Sequence, residues 1–181
     1  MTYIHLILGG ARSGKSRYAQ ALAETEPGDP VYVATAQALD GEMAGRILRH
    51  RADRGARWTT IEAPLDLAAA LDGCRGQGEG AVLVDCLTLW ASNLLLAEHN
   101  ADQATAALLA AGAALGRPLI LVANEVGLGI VPDNALARRF RDIAGAMNQR
   151  IAAAADQVTF VAAGLPLVLK GQILPGTNPS P

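Results

Sequence analysis

A phosphate-binding loop near the start of the chain constrains fold and function more than any other feature. Residues 9–16 read Gly-Gly-Ala-Arg-Ser-Gly-Lys-Ser, which fits the pattern G-x-x-x-x-G-K-[ST]. An apolar run at residues 3–8 precedes this loop, and good helix formers at residues 16–24 follow it. A strand, a glycine-rich turn and a helix start point successive backbone N–H groups at one spot. The sequence therefore predicts a nucleotide-binding P-loop and not a chance glycine-rich turn.

The P-loop pattern predicts a role for each part of the loop. We expect the Lys15 side chain to reach the β- and γ-phosphates and the Ser16 hydroxyl to bind Mg²⁺. Backbone N–H groups and the positive end of the following helix would bind the β-phosphate. The predicted phosphate-binding residues are Gly9, Gly10, Ala11, Arg12, Ser13, Gly14, Lys15 and Ser16.

Composition and charge place the chain among compact domains. Of its 181 residues, 51% are hydrophobic and 18% are charged, which argues against disorder. The length suits one catalytic domain at residues 1–170, and we expect the glycine- and proline-containing tail at residues 171–181 to be disordered. A net charge of −2 gives no indication of a nucleic-acid partner or an acidic membrane surface.

Cysteine usage and apolar runs favour a cytoplasmic protein. Cys74 and Cys86 are too few for a disulfide framework and lack metal-site spacing, so we expect free thiols in a reducing compartment. The first residues enter a strand without the basic and apolar regions of a signal peptide. No apolar run reaches the roughly 18–20 residues that cross a bilayer, so we expect no membrane insertion.

Strand and helix patterns alternate along the chain. Short runs rich in Val, Ile or Leu predict strands at residues 4–8, 30–34, 81–84, 119–123 and 158–163, with a possible last strand at 165–169. The predicted helices are residues 15–24, 41–53, 64–71, 87–97, 101–115 and 134–154, and residues 73–80 are typical of a loop. This alternation predicts an α/β fold, with a mostly parallel sheet covered by helices and ligands at the carboxyl ends of its strands.

Carboxylates follow several of the apolar runs. Asp85 ends the run at residues 81–84, where P-loop enzymes place a carboxylate that holds Mg²⁺, so we expect Asp85 and Ser16 to be metal ligands. The alternative role for Asp85 is the N-cap of the helix at residues 87–97, and one residue could serve both purposes. Glu62 and Glu125 would line the same sheet edge, where either could hold a substrate hydroxyl, position Mg²⁺ or act as a base.

The three histidines differ in their surroundings. His5 lies inside a predicted strand and is most simply a core residue, whereas His99 lies in a polar loop and is most simply solvated. His50 would share a helix face with Met43 and Ile47, among arginines at positions 46, 49, 51 and 54. Positive charge would keep this imidazole neutral and nucleophilic and would attract phosphates. From the pattern alone, however, a histidine near a helix C-terminus that binds the last carbonyls is the favoured interpretation.

Regulatory GTPase signatures are missing from the sequence. It contains no Asn-Lys-x-Asp stretch, and no Asp-x-x-Gly sequence directly follows the predicted strand that ends before Asp85. A regulatory protein that binds a nucleotide and changes shape without catalysing a reaction is therefore disfavoured. A kinase that phosphorylates a small metabolite with the P-loop alone stays open, although it leaves the arginine-rich stretch around His50 without a purpose.

Several sequence blocks in a fixed order resemble one family, the bifunctional adenosylcobinamide kinase/adenosylcobinamide-phosphate guanylyltransferases of cobalamin biosynthesis. Residues 9–16 have the family's form of the P-loop, and Tyr-Val-Ala-Thr-Ala at residues 32–36 resembles its second strand. Residues 40–54 match D-x-E-M-x-x-R-I-x-x-H-x-x-x-R, and residues 58–62 match W-x-T-x-E. Residues 124–132 match N-E-V-G-L-G-I-V-P, and the match continues with Arg138, Phe140, Arg141, Asp142, Gly145 and Asn148. The resemblance covers about residues 4–170.

The resemblance implies two activities. The kinase would phosphorylate the aminopropanol hydroxyl of adenosylcobinamide with ATP or GTP, using Lys15, Ser16, Asp85 and Mg²⁺. The transferase would move GMP from GTP onto His50 as a covalent phosphoramidate, release pyrophosphate, and pass GMP to the phosphorylated substrate. The nucleotide-binding residues that it implies are those of the P-loop together with Ala34, Thr35, Ala36, Arg54, Glu62 and Asp85.

The resemblance also implies a RecA-like core and a homotrimer, in which the large corrinoid could sit between subunits. The tail at residues 171–181 has no counterpart in the family pattern, and we assign it no role. A monofunctional kinase without a covalent histidine is the alternative.

Overall fold

The computed structural model describes residues 2–37 and 55–171. Its strands are β1 (Ile4–Gly9), β2 (Val31–Ala34), β3 (Thr59–Glu62), β4 (Val82–Asp85), β5 (Leu119–Asn124), β6 (Gln157–Ala162) and β7 (Leu165–Lys170). They form a seven-stranded sheet in the order β3-β2-β4-β5-β1-β6-β7. Strands β1 to β6 pair in parallel, and β7 pairs antiparallel with β6. The predicted α/β fold with a mostly parallel sheet is confirmed.

Helices pack on both faces of this sheet. Within the described residues they are α1 (Lys15–Thr25), α2 (Leu67–Cys74), α3 (Leu87–Leu96), α4 (Ala101–Ala113) and α5 (Ala135–Ala154). Helix α1 packs on one face with Ile7 and Val122, and the other helices pack on the opposite face with residues such as Leu6 and Leu121. Because both faces are covered, the central strands are buried along nearly their whole length and are mostly apolar. Their runs of apolar residues were therefore recognisable in the sequence.

Two elements differ from the sequence prediction. Strand β3 was not among the predicted strands, since it has four residues at the sheet edge and its burial is partial, so it lacks a continuous apolar run. The helix predicted at residues 64–71 begins only at Leu67, because the Asp66 carboxylate caps it by accepting a 2.9 Å hydrogen bond from the Ala69 backbone N–H. This helix extends through Gly73 to Cys74, which shortens the predicted loop.

The other predicted elements of the described residues are confirmed, with ends that differ by no more than two residues. The helix predicted at residues 41–53 and all but the first residue of the predicted tail lie outside the described residues. In the part of the chain that the structure describes, no helix has both the length and the apolar character needed to span a membrane.

Candidate active site

The P-loop connects β1 to α1 as the sequence predicts. Gly9 ends β1, and α1 begins at Lys15 after Gly14, which adopts a left-handed conformation with φ 94°. A Cβ on Gly9 would lie 2.5 Å from the Val161 carbonyl oxygen, and one on Gly14 would lie 3.2 Å from the Gly164 Cα. Both positions therefore require glycine, because the loop folds tightly against the end of β6 and the turn that follows it.

Two side chains of the P-loop retain hydrogen-bonding capacity. Lys15 is only 8% exposed, and its Nζ donates to the Gly10 carbonyl oxygen at 3.1 Å. An ammonium group has three N–H donors, so the Lys15 ammonium can still bind phosphate oxygens. The Ser13 Oγ is buried and has no hydrogen-bond partner among the described residues. An unpaired buried hydroxyl is costly, so an anion that accepted a hydrogen bond from Ser13 would offset this cost.

The strand register brings the other predicted residues to the same sheet edge. Ala34 is aligned with both Asp85 and Glu62, and Gly9 is aligned with Asn124. Neighbouring strands lie about 4.8 Å apart, so Asp85, two strands from β1, is about 10 Å from the P-loop strand. Glu62 is four strands from β1, which corresponds to about 19 Å. Asp85 can therefore act near the P-loop phosphates, whereas Glu62 marks a separate part of the edge.

Asp85 is available for a metal ion. The N-cap residue of α3 is Cys86, and it makes no side-chain capping bond, so the alternative prediction of Asp85 as the N-cap is wrong. Within residues 2–37 and 55–171, the Asp85 carboxylate makes no hydrogen bond or ion pair. Ser16 lies in the first turn of α1. A free carboxylate and a hydroxyl at the P-loop are oxygen donors of the kind that Mg²⁺ prefers, so these residues fit the predicted metal.

Thr35 has a positioning role that the sequence did not reveal. It is completely buried, and its Oγ1 accepts from the Cys86 backbone N–H and donates to the Cys86 carbonyl oxygen, both at 2.8 Å. The Thr35 carbonyl oxygen accepts a 2.9 Å bond from the Asn93 side chain. The Thr35 hydroxyl thus connects the ends of β2 and β4, and its neighbours Ala34 and Ala36 are partly exposed at the edge.

Cys86 is a structural thiol. Burial, assisted by the nearby negative charge of Asp85, raises the pKa of the Cys86 thiol to about 11. The thiol is therefore neutral near pH 7 and is not a nucleophile. Cys74 is buried as well, and burial raises the pKa of its thiol.

Contacts from distant parts of the chain support the P-loop. The Glu125 backbone N–H donates to the Gly9 carbonyl oxygen at 3.1 Å, which confirms that Glu125 lies at this edge. The Gly164 backbone N–H donates to the Ser13 carbonyl oxygen at 2.8 Å. Gly164 was not predicted as a site residue, and the only signal for it was the Gly-Leu-Pro turn that begins there.

His50 and Arg54 lie outside the described residues. The described chain leaves the sheet edge after β2, through Thr35 to Gln37, and resumes at Gly55 before β3. The structure thus places the P-loop, Asp85, residues 34–36 and Glu62 along one edge of the sheet, with Glu62 farthest from the P-loop. The predicted nucleophile His50 and the arginines around it belong to residues 38–54, which the structure does not describe.

Comparison with known proteins identifies the family. The family model for cobinamide kinase / cobinamide phosphate guanyltransferase matches residues 5–169. The chain belongs to this family. It is 52% identical over 173 residues to the bifunctional adenosylcobalamin biosynthesis protein CobP of Pseudomonas aeruginosa, covering 93% of this chain and 98% of the relative. It is 43% identical over 180 residues to the bifunctional adenosylcobalamin biosynthesis protein CobU of Salmonella typhimurium, covering 91% and 98%.

Family membership defines the general activity. The chain is a bifunctional cobinamide kinase and cobinamide phosphate guanylyltransferase of adenosylcobalamin biosynthesis. The resemblance stated from the sequence blocks is therefore confirmed.

Solved structures with a related arrangement are distant in sequence. A KaiC-like protein from Pyrococcus horikoshii is 13% identical with a TM-score of 0.49, over 87% of this chain and 70% of that one. The P4 protein of bacteriophage phi6, solved in complex with ADP, is 15% identical with a TM-score of 0.48, over 91% and 52%.

Proposed function

We propose that the chain phosphorylates adenosylcobinamide with ATP or GTP at the P-loop. It then transfers GMP from GTP through a guanylylated His50, which yields adenosylcobinamide-GDP and pyrophosphate. The observation that carries the kinase half is the P-loop itself, where Lys15 and Ser13 retain hydrogen-bonding capacity. The Asp85 carboxylate, which has no partner within residues 2–37 and 55–171, lies at the same edge.

In the kinase step, the P-loop holds the nucleotide and stabilises charge. The N-terminal N–H groups of α1 and the Lys15 ammonium bind the β- and γ-phosphates. Ser16 and Asp85 would hold Mg²⁺, which neutralises charge on the phosphate oxygens when bound. The oxygen of the acceptor hydroxyl forms a bond to the γ-phosphorus, and the bond from that phosphorus to the β–γ bridging oxygen breaks. The nucleoside diphosphate leaves with the electron pair, and the hydroxyl proton passes to solvent. Because Lys15 is fixed against Gly10, little reorganisation is needed during transfer.

In the transferase step, the imidazole of His50 attacks the α-phosphorus of GTP, a P–N bond forms, and pyrophosphate leaves. A phosphate oxygen of the phosphorylated acceptor then attacks the same phosphorus, the P–N bond breaks, and free His50 is restored. The position of Glu62 and residues 34–36 supports a separate subsite for this chemistry. Along the chain, residues 34–36 precede the segment that contains His50 and Glu62 follows it, and Glu62 is about 19 Å from the P-loop strand.

Label transfer from GTP tests the covalent step. The purified protein is incubated with Mg²⁺ and α-phosphate-labelled GTP and then denatured. We expect protein-bound label that survives alkali but not acid, that is absent in His50→Ala, and that is present in the control His5→Gln. An unlabelled wild type that still phosphorylates cobinamide would instead favour the monofunctional kinase.

We also propose that the protein is a cytoplasmic homotrimer. Leu165, Leu167 and Leu169 alternate along the edge strand β7 and are 71%, 61% and 57% exposed. An apolar edge strand of this kind is usually covered by a partner.

Two buried free thiols, Cys74 and Cys86, support a reducing compartment. Light scattering on a sizing column tests the trimer, and a fully active monomer would exclude it. Fractionation of the native cells tests the compartment.

A further inference from the structure

Arg12 has a backbone conformation that is unfavourable for a residue with a side chain. It is the third residue of a turn in the P-loop, in which the Ser13 backbone N–H donates to the Gly10 carbonyl oxygen at 3.3 Å. Its φ is 58°, in the left-handed region where glycine is the preferred residue. Strained residues of this kind cluster at active sites and ligand-binding loops. Because glycine would suit the turn better, the reason for an arginine here lies in its side chain.

The Arg12 side chain is free to bind a ligand. It is exposed, and within residues 2–37 and 55–171 its guanidinium group makes no hydrogen bond or ion pair. A guanidinium group has five N–H donors in a planar fork that matches two phosphate oxygens. Lys15 differs, because it is only 8% exposed and its Nζ donates to the Gly10 carbonyl oxygen. The P-loop therefore presents one cation on the protein side and another on the solvent side.

Positive charge at the start of α1 is not balanced by the protein. Lys15 and Arg17 lie in the first turn of α1, which has no acidic residue, and Arg12 lies two residues before the N-cap Gly14. The ion pairs found in the part of the chain that the structure describes involve none of these three cations. The N-terminal end of a helix is itself positive, so cations there are unfavourable without an anion. A chain of phosphate groups would compensate more of this charge than one phosphate at the loop backbone.

We propose that the Arg12 side chain binds the phosphate chain of the nucleotide from the solvent side, while Lys15 binds it from the protein side. The P-loop pattern itself assigns no role to this side chain, because any residue fits that position. Here the guanidinium group donates forked hydrogen bonds to phosphate oxygens and stabilises negative charge during phosphoryl transfer. This inference rests on the proposed kinase function.

Three substitutions separate the Arg12 side chain from the strain of its backbone. Arg12→Ala removes the guanidinium group and keeps the Cβ, whereas Arg12→Gly removes both. Arg12→Lys keeps a positive charge without the planar fork. The matched control is Glu98→Gly in the turn after α3. Glu98 also has φ 58°, is exposed, and its side chain has no partner among the described residues.

Calorimetric titration with Mg²⁺ and ATP measures the Kd, and steady-state kinase assays give kcat and KM. We expect Arg12→Ala and Arg12→Gly to raise the Kd for ATP about tenfold and to lower kcat about tenfold. Arg12→Lys should recover part of both losses, and Glu98→Gly should change each value less than about twofold.

Salt should weaken the contribution of an exposed cation. We expect the Kd ratio of Arg12→Ala to wild type to fall from about tenfold at about 0.05 M NaCl to about threefold at about 0.5 M. A purely structural role of Arg12 would leave this ratio unchanged.

Thermal unfolding without nucleotide separates binding from folding. Arg12→Gly and Glu98→Gly relieve the same strain, so their midpoints should shift by equal amounts, within about 2 °C. Arg12→Ala should keep the wild-type midpoint, because it retains the strain and its side chain has no partner to lose among the described residues.

A wild-type Kd for ATP in Arg12→Ala and Arg12→Gly would overturn the proposal. So would a midpoint of nucleotide-free Arg12→Ala more than about 4 °C below that of wild type, because Arg12 would then stabilise the folded protein. A wild type that phosphorylates no adenosylcobinamide, but loses ATP affinity in Arg12→Ala, would refute the proposed kinase function and retain the nucleotide contact.

Discussion

The two ends of β1 differ in whether their polar side chains have hydrogen-bond partners. At its start, the His5 ring shares a 2.8 Å hydrogen bond with the Thr159 hydroxyl, and the Tyr3 hydroxyl donates to the Gln157 side chain. At its end, the P-loop leaves the Ser13 hydroxyl unpaired within the described residues. His5 at the start and Ser13 and Lys15 at the end are all buried polar or ionisable side chains. Only the carboxyl end retains donors and acceptors for a ligand.

This difference separates a structural polar cluster from a binding site. The cavity beside His5 has a volume of about 40 Å³, which leaves no space for a substrate. Burial lowers the pKa of His5 to about 4, so its ring is neutral and accommodated in the core. The P-loop shows the opposite pattern, because the Ser13 hydroxyl has no partner within the described residues and the buried Lys15 ammonium can donate further hydrogen bonds to a ligand.

Lys15→Ala should produce the largest effect on activity, and it tests whether the carboxyl end of β1 is the end that binds nucleotide. We expect kcat/KM of the kinase to fall about a thousandfold, roughly 4 kcal/mol of transition-state stabilisation, because the phosphate charge loses its ammonium partner. The thermal midpoint without nucleotide should change little, while the increase in that midpoint on adding ATP should disappear. Lys170→Ala is the control, since Lys170 is the other lysine of the chain and binds carbonyl oxygens at the end of α5. Near-normal turnover of Lys15→Ala would remove the P-loop from the mechanism.

A change of pH should alter the contribution of His5 to the free energy of unfolding, whereas protonation of His5 should not alter catalysis. Because burial lowers the folded pKa of His5 to about 4 from an ordinary value of 6.5, the unfolded chain binds the proton more readily. The stability contribution is complete above pH 6.5 and is lost as pH falls from 6.5 to 4, by up to about 3 kcal/mol. Urea unfolding of wild type and His5→Gln across this range isolates the effect, since other groups titrate in both proteins. Equal pH slopes for the two proteins would contradict it.

Gly9→Ala should affect both stability and catalysis, because Gly9 belongs to the strand and to the loop. Its Cβ would lie 2.5 Å from the Val161 carbonyl oxygen and 2.6 Å from the Ser13 Oγ. We expect a loss of about 1–2 kcal/mol in the free energy of unfolding and a higher KM for ATP. At Gly10 a Cβ would meet nothing within 4 Å, so Gly10→Ala is the matched control. If both variants behave alike, close packing at Gly9 does not shape the loop.

The sequence predicted those features whose determinants are close together in the chain. The P-loop and β1 are contiguous, and Asp85 directly follows an apolar run, so local pattern was sufficient. Thr35 bonds to Cys86, 51 residues away, and its buried positioning role could not be seen from either segment alone. Strand β3 was missed because it is short and half-exposed.

Gly164→Ala should have the smallest effect and tests whether distant contacts shape the P-loop. Gly164 has φ 81°, so alanine there is strained by about 1 kcal/mol, and its N–H bonds to Ser13. Gly116 has φ 78°, and a Cβ there would meet nothing within 4 Å, so Gly116→Ala carries similar strain away from the site. We expect similar losses of stability in urea unfolding, but a KM for ATP raised about threefold only in Gly164→Ala. Gly164 is then a positioning residue, because strain alone acts equally in both variants. Equal KM values for ATP in Gly164→Ala and Gly116→Ala would mean that the P-loop keeps its shape without the contact from the turn after β6. The conformation that leaves the Ser13 hydroxyl without a partner among the described residues would then depend on the local sequence alone.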